Sequence, residues 1–364
     1  MKLQRTIFSG FRNHTSLLFE PSEGVTIIYG ANGSGKTSLL EGIHYGALTK
    51  GLLGAPDSEC LSFDTEAFTL DSHFLSDSNI PIHVLVTYQL EGEKQVIVDR
   101  QEVKPFSSHI GRIPTITFSP YEISLVSGPP AERRRFLDSA ISQLDHRYLD
   151  RLITYRRILQ QRNALLAQLS SGEKSNRNTL PLWTTQLAEL SAWLVERRLL
   201  FLTSFSPYFQ HYYRYIIKGE EPSINYRCTS CPLHGNTTFQ ELYQLFLQRY
   251  SDIEAQEIQR GQTLFGAHRD DVLFFLNEKE IKRYASQGQL RSFLIALKIS
   301  QAHLFADHLH EQPMCLFDDL FSELDGGRIE QILALLKECG QTIITAVEPR
   351  YTEGITLCDI QALR

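Results

Sequence analysis

The sequence has too little of several things to belong to some broad classes of protein. No apolar run comes near the roughly 18–20 residues that a membrane-spanning helix needs, so no membrane partner is expected. The start, Met1-Lys2-Leu3-Gln4-Arg5, has no apolar stretch of the kind that directs secretion. Six cysteines in 364 residues are too few for a disulfide framework. Cys60, Cys228, Cys231, Cys315, Cys339 and Cys358 are read as reduced thiols, and a cytoplasmic location is expected. There is no excess of positive charge: the formal net charge is −6, so any nucleic acid must be held by a local patch. No heptad is sustained, which argues against a long coiled coil. The remainder, 42% hydrophobic and 21% charged, is ordinary globular composition, enough for two or three structural units.

The most specific stretch is Gly30-Ala31-Asn32-Gly33-Ser34-Gly35-Lys36-Thr37, which matches the phosphate-binding pattern G-x-x-x-x-G-K-[ST] at every fixed position. Val25-Thr26-Ile27-Ile28-Tyr29 before it reads as a buried strand. Leu39, Leu40, Ile43 and Ala47 after it fall at helical spacing. Glycines let backbone N–H groups wrap phosphate oxygens, and the helix N-terminus adds positive potential. Lys36 is placed to reach the β and γ phosphates, and the Thr37 hydroxyl to ligate Mg²⁺. A nucleoside triphosphate is the expected ligand.

The first 120 residues otherwise read as strands: Leu3–Phe11, Leu17–Phe19, a hairpin of His83–Tyr88 with Gln95–Asp99, and Ile113–Phe118. Residues 51–82 read mostly as loop. After Ser127-Gly128-Pro129-Pro130 the pattern turns helical, with long helices expected over 146–169 and 180–205 and a polar tip between them. Residues 132–162 carry eight arginines against four acids. Two readings stand for Arg133, Arg134, Arg135, Arg151, Arg156 and Arg157: contact with nucleic-acid phosphates, or a solvated helix face with i,i+4 ion pairs. Cys228-Thr229-Ser230-Cys231 with His234 is half of a zinc site with no second half, and reads as a loop with two free thiols.

Beyond residue 260 three clusters follow: Gly266–Asp271, Ser286-Gln287-Gly288-Gln289-Leu290-Arg291 opening a helix over 289–309, and Pro313–Asp319 continued by Ser322-Glu323-Leu324-Asp325. An apolar strand ending in acids beside a phosphate loop puts a carboxylate where Mg²⁺ needs it. Asp318 is assigned the metal side, and Asp319 the orientation or deprotonation of the attacking water. Lys36 and Asp318 are 282 residues apart in sequence, so a whole lobe must be inserted between them. The expected division is 1–125 for the first part of an ATPase domain, 126–255 for an inserted helical lobe, and 256–364 for the returning part.

This order resembles the head ATPases of the ABC class, SMC- and Rad50-head-like, and within it the RecF family. The resemblance rests on Gly10-Phe11-Arg12-Asn13, Phe118-Ser119-Pro120, Pro130 through Asp138, Gly266–Asp271, Ala285–Arg291 and Asp318–Asp325. It departs at Ala267, where proline is usual, and in the residues of the phosphate loop. It implies an α/β P-loop fold with an inserted helical lobe. It implies that Ser286, Gly288 and Gln289 cap the γ-phosphate held by a second copy, so that ATP joins a homodimer. Thr345 stands where many ABC ATPases have a switch histidine, which implies slow, switch-like turnover. Arg12 is implied as a nucleotide contact or a plain sheet-edge arginine. The implied function is ATP-dependent binding to gapped duplex, single-stranded and double-stranded DNA. It includes help in loading the RecA strand-exchange protein with RecO and RecR partners, replication maintenance and support of the SOS response. Two other classes fit less well. A transporter ATPase subunit would not carry so long a helical insertion. An SMC-like head would need a longer hairpin than about 35–40 Å at ~1.5 Å per residue.

Overall fold

The structure, a computed structural model, describes residues 1–52, 54–172, 177–229, 237–322, 324–349 and 354–363. In chain order the strands and helices are β1 (Lys2–Phe11), β2 (His14–Phe19), β3 (Val25–Tyr29), α1 (Lys36–Leu48), β4 (Ala67–Leu75), β5 (Pro81–Gln89), β6 (Gln95–Val98), β7 (Gln101–Glu102) and β8 (Thr115–Phe118). Then come α2 (Ile123–Ser127), α3 (Pro130–Leu144), α4 (His146–Ser170), α5 (Leu180–Ile216), β9 (Pro222–Arg227), α6 (Phe239–Arg260), β10 (Asp271–Leu276), β11 (Lys279–Glu280) and α7 (Ile281–Tyr284). The last are α8 (Gln287–Leu309), β12 (Met314–Phe317), α9 (Gly326–Leu336), β13 (Thr342–Ala346) and β14 (Thr356–Asp359). The chain divides into two compact units: Met1–Ile123 with Tyr208–Glu220 and Ala285–Arg364, and Ser124–Pro207 with Glu221–Tyr284.

The first unit holds two sheets. One is antiparallel, in the order β2-β1-β4-β5-β6-β7. The other is parallel, in the order β14-β3-β13-β12-β8. Helix α1 contacts strands of both sheets and is buried along ten consecutive residues, Leu39 to Leu48. A helix covered on all sides needs no amphipathic stripe. Phe8, Phe11, Tyr45, Phe68, Phe74, Ile28 and Leu316 meet around it in one core. At Gly42 an added Cβ would stand 2.0 Å from Phe8 Cε1, so the glycine lets α1 lie directly on β1.

The expected strand at 25–29 is β3, and the 83–88 and 95–99 hairpin is β5 with β6. The loop expected over 51–82 is corrected: β4 is a nine-residue strand between β1 and β5. Phe68, Leu70, Ser72 and Phe74 alternate inward along it, a period of two that a serine among the inward positions obscures.

The second unit is not purely helical. It contains a three-stranded antiparallel sheet, β11-β10-β9, with α3 packed on β10 and α4 on α6. The return expected at residue 256 falls instead at Ala285, because β10 pairs with β9 along its whole length, Asp271 opposite Arg227 through Leu276 opposite Pro222. The expected helices over 146–169 and 180–205 are α4 and the first two-thirds of α5, which continues to Ile216. Of the polar tip between them, residues 173–176 lie outside the described residues.

Candidate functional site

Strands of a parallel sheet all end on one edge, and ligands of open α/β folds bind there. Tyr29 ends β3 and leads into the glycine loop, Phe317 ends β12 and leads into Asp318, and Phe118 ends β8 and leads into Ser119-Pro120-Tyr121. Phe317 lies level with Phe118 and with Ile344, and Ile344 with Ile27, so these ends are in register. They open on a cleft of about 560 Å³ lined by Asn13, Asn32–Ser38, Pro120, Tyr121, Asp318, Asp319 and Thr345–Val347.

The loop has the conformation a phosphate cradle needs. Gly35, the N-cap of α1, has φ +98°, and a Cβ there would also strike the Asn13 side chain at 2.6 Å. His14 Nε2 lies 3.0 Å from Gly35 O, so the β1–β2 turn braces the loop from behind. Lys36 Nζ donates to Gly30 O at 2.7 Å and to Ala31 O at 2.8 Å, lying over the cradle. Partial burial lowers its pKa, opposed by the nearby Asp318 and Asp319 carboxylates.

Asp318 is buried, and both its oxygens accept from Thr37 Oγ1, at 2.9 and 3.0 Å. A hydroxyl and a carboxylate converging in this way fit a small oxygen-preferring cation, which would replace the hydrogen between them. Asp319 follows with φ 44°, in the left-handed region. Burial raises its pKa, and Asp318 adds to this while Arg291, Ser322 and Lys36 oppose it. A carboxylate held in this way is a better base than a solvated one.

Because β13 lies between β3 and β12, the end of β13 falls between the glycine loop and the acids. Thr345 is therefore inside the strand, not beyond it, and 1% exposed. Its hydroxyl donates to Asp318 Oδ1 at 2.6 Å and accepts from the Asp319 N–H at 2.8 Å, bridging the two acids. From α8, Arg291 Nη2 donates to the Asp319 carbonyl and, at 3.4 Å, to that of Leu320, with its guanidinium over the Phe118 ring. Asn13, Tyr121 and the roles of Thr345 and Arg291 were not drawn from the sequence. They are brought to the cleft by the β1–β2 turn, the ends of β8 and β13, and α8, which are distant in sequence.

Ser286, Gly288 and Gln289 do not line the cleft. Ser286 caps α8 in a reciprocal box with Gln289: its Oγ accepts from the Gln289 N–H at 3.3 Å, and Gln289 Oε1 accepts from the Ser286 N–H at 2.9 Å. Gln289 Nε2 also donates to Glu220 at 2.7 Å, while Ser286 itself is exposed. Within the acidic segment, Glu323 lies outside the described residues, and Asp325 caps α9.

Arg12 Nε and Nη2 hold Glu41 at 2.7 and 2.9 Å, and Nη1 donates to Glu59 O, so its guanidinium braces α1 rather than facing the cleft. Arg133 is buried, with Nε and Nη2 on the two Asp271 oxygens at 2.8 and 3.1 Å. It is therefore an internal ion pair, which corrects its assignment to a phosphate-binding face. Half-buried Arg134 donates to Asp270 O at 2.7 Å, exposed Arg135 pairs with Glu132, and Arg151 lies over the Trp193 ring. Arg156 is 3.6 Å from Asp138, and Arg157 is exposed. Gly266–Asp271 belongs to the second unit, where Asp270 accepts from Tyr226 and Thr229. Cys60, Cys315, Cys339 and Cys358 are free, and Cys231 and His234 lie outside the described residues. Among the described residues no helix is long and apolar enough to cross a membrane.

A glycine cradle at a strand end, a hydroxyl–carboxylate pair and a separate Ser-x-Gly-Gln helix start, on a P-loop sheet beside an antiparallel one, define an ABC-type ATPase head. Comparison with known proteins agrees. The AAA domain family matches residues 7–192. The SMC head domain of Pyrococcus furiosus shares the fold at TM-score 0.55 and 12% identity, over 95% of this chain and 89% of that one. The DNA replication and repair protein RecF of Chlorobium phaeovibrioides is 50% identical over 99% of this chain and 97% of its own. That of Chlorobium limicola is 48% identical over 99% of each. A solved structure of the recombination mediator protein RecF-ATP in the RecFOR pathway superposes at TM-score 0.90 with 28% identity, covering 96% of this chain and 93% of that one. The chain belongs to the RecF family.

Proposed function

We propose that the chain is an ATP-dependent DNA-binding protein of recombinational repair and replication maintenance, whose nucleotide site is completed by a second copy of itself. One observation carries the reading. Lys36, Thr37, Asp318 and Asp319 line one cleft, while Ser286, Gly288 and Gln289 stand outside it at an exposed helix start. A helix N-terminus offers N–H groups to an anion, and a second copy can bring them to a γ-phosphate that the first holds. The family relatives, and a RecF structure carrying ATP, support the nucleotide.

In this reading the loop amides of residues 33–37 and Lys36 hold the phosphates. Thr37 and Asp318 hold Mg²⁺, which when bound neutralises phosphate charge. Asp319 orients the water. Thr345 fixes the Asp318 carboxylate and the Asp319 backbone N–H, and its hydroxyl does not titrate near neutral pH as a histidine would, consistent with slow turnover. ATP then favours the dimer by mass action, and hydrolysis releases it. DNA at gaps is the substrate of the clamp. RecO- and RecR-type mediators are its partners in loading the strand-exchange protein and in supporting the SOS response.

Sedimentation on a gapped duplex, with and without Mg²⁺-ATP, tests this. The parent should form an ATP-dependent dimer on DNA, and Lys36→Arg and Ser286→Arg should each abolish it. A chain that binds ATP but remains monomeric, or ignores DNA, refutes the clamp.

A further inference from the structure

The solvent face of the antiparallel sheet carries an arrangement that the nucleotide site does not use. His73 on β4 and His83 on β5 are directly opposite each other, and Asp71 lies two residues before His73 on the same face. The neighbouring Phe68, Leu70, Ser72 and Phe74 of β4 point the other way, into the core. The two imidazoles stack with centroids 4.5 Å apart and planes 20° apart. Both Nε2 atoms converge on one oxygen, Asp71 Oδ1, at 3.2 Å from His73 and 2.8 Å from His83. The three side chains are 30, 36 and 34% exposed, open enough for a hydrated ion to arrive.

Exposed Arg5 flanks the pair, its Nη2 3.4 Å from His73 Nε2.

We propose that Asp71, His73 and His83 form a site for a divalent transition-metal ion of the zinc class. The ligand atoms are His73 Nε2, His83 Nε2 and Asp71 Oδ1. Two imidazoles and one carboxylate make a three-ligand donor set that leaves a fourth position to water. Bonds of about 2.0–2.2 Å put tetrahedral ligand atoms roughly 3.3 Å apart. The distances from Asp71 Oδ1 to the two imidazoles therefore need change by only a few tenths of an ångström. On binding, Arg5 swings into solvent, and neutral His83 carries its hydrogen on Nδ1 instead of Nε2. Imidazole ligands favour zinc, nickel and copper over Mg²⁺ and Ca²⁺, which take oxygen, so this site is distinct in chemistry from the Thr37–Asp318 pair. The ion joins β4 to β5 in the middle of the sheet.

The test uses the full chain, freed of metal and titrated with Zn²⁺ against a chromophoric chelator, and with Co²⁺ by visible absorption. One equivalent should bind with a nitrogen–oxygen ligand spectrum and no thiolate charge-transfer band, and millimolar Mg²⁺ should not displace it. His83→Ala and His73→Gln should each weaken Zn²⁺ at least about tenfold, since even outer-shell changes cost ~10–100-fold. ATP binding by these variants serves as the check that they fold. Cys228→Ser should leave affinity unchanged. No binding by the parent, unchanged affinity in both histidine variants, or a thiolate band lost with Cys228→Ser would each overturn the assignment.

Discussion

Thr345→Val removes one oxygen and almost nothing else. The residue is 1% exposed, and valine fills the same space. The lost hydroxyl donates to Asp318 Oδ1 at 2.6 Å and accepts from the Asp319 N–H at 2.8 Å. A hydrogen bond to a charged group contributes about 1.5–3 kcal/mol, and a buried donor left unsatisfied costs about 1–3 kcal/mol. Asp318 keeps Thr37, so the two terms do not simply add. The expected loss is roughly 2–4 kcal/mol. Thr345→Ser keeps the hydroxyl and drops a methyl, and should stay within about 1 kcal/mol of the parent. Urea unfolding reads this as a shift in midpoint at constant slope. Mg²⁺-ATP affinity, measured alongside, should fall with valine and recover with serine, because the bridge holds the metal-side carboxylate. Destabilisation by serine with valine close to the parent would mean that the methyl matters and the bridge does not. A valine variant within ~0.5 kcal/mol of the parent would refute the argument altogether.

Arg133→Ala leaves buried Asp271 to the more exposed Arg227, 3.1 Å from its Oδ2, and should cost at most about 3–5 kcal/mol in chemical denaturation. Exposed Arg157→Ala should leave stability alone and, if the helical face meets DNA, lower the salt slope of binding by about one, read by anisotropy. A stable Arg133→Ala that loses only DNA would reverse the assignment. His44 and His268 are each held neutral by burial, their pKa lowered to about 4. An unfolded histidine titrates near ~6.5 and takes the proton first, so this stability is complete above about pH 6.5 and drains as pH falls toward ~4. His44→Gln should flatten urea midpoints over that window, and an unchanged profile would count against it. Gly42→Ala drives a methyl to 2.0 Å from Phe8 Cε1. It should lower stability by about 1–3 kcal/mol in a thermal melt, with Phe8→Leu restoring part of the loss.

What was legible in the chain follows from how local each signal is. The β3–loop–α1 unit and the strand ending in Asp318 are contiguous, and their residue types state their geometry. The arginines of 132–162 show the opposite case. Charge composition counts cations but not their partners, and the partner of Arg133 is Asp271, 138 residues further on. Strand β4 was lost for another reason: Ser72 occupies an inward position, where it meets the Thr6 hydroxyl at 2.8 Å, so a polar residue sits where the pattern asks for an apolar one. The point where the chain returns to the first unit is not legible, because the pairing of β10 with β9 joins segments some fifty residues apart and neither segment declares its partner.

Arg291 illustrates the limit best. In sequence it is the sixth residue of a cluster whose first is Ser286. In space it reaches the other way, to the carbonyls of Asp319 and Leu320, and buries its plane against Phe118. The helix that starts with the exposed Ser286 is thereby fastened to the turn carrying the two acids. A guanidinium can hold two carbonyls and stack on a ring at once, whereas a lysine ammonium has neither the fork nor the plane. Arg291→Lys should therefore weaken the position of Asp319 while leaving the Lys36 and Thr37 cradle intact. ATP affinity would hold and turnover would fall. Loss of both in equal measure would mean that Arg291 supports the fold rather than the acid turn.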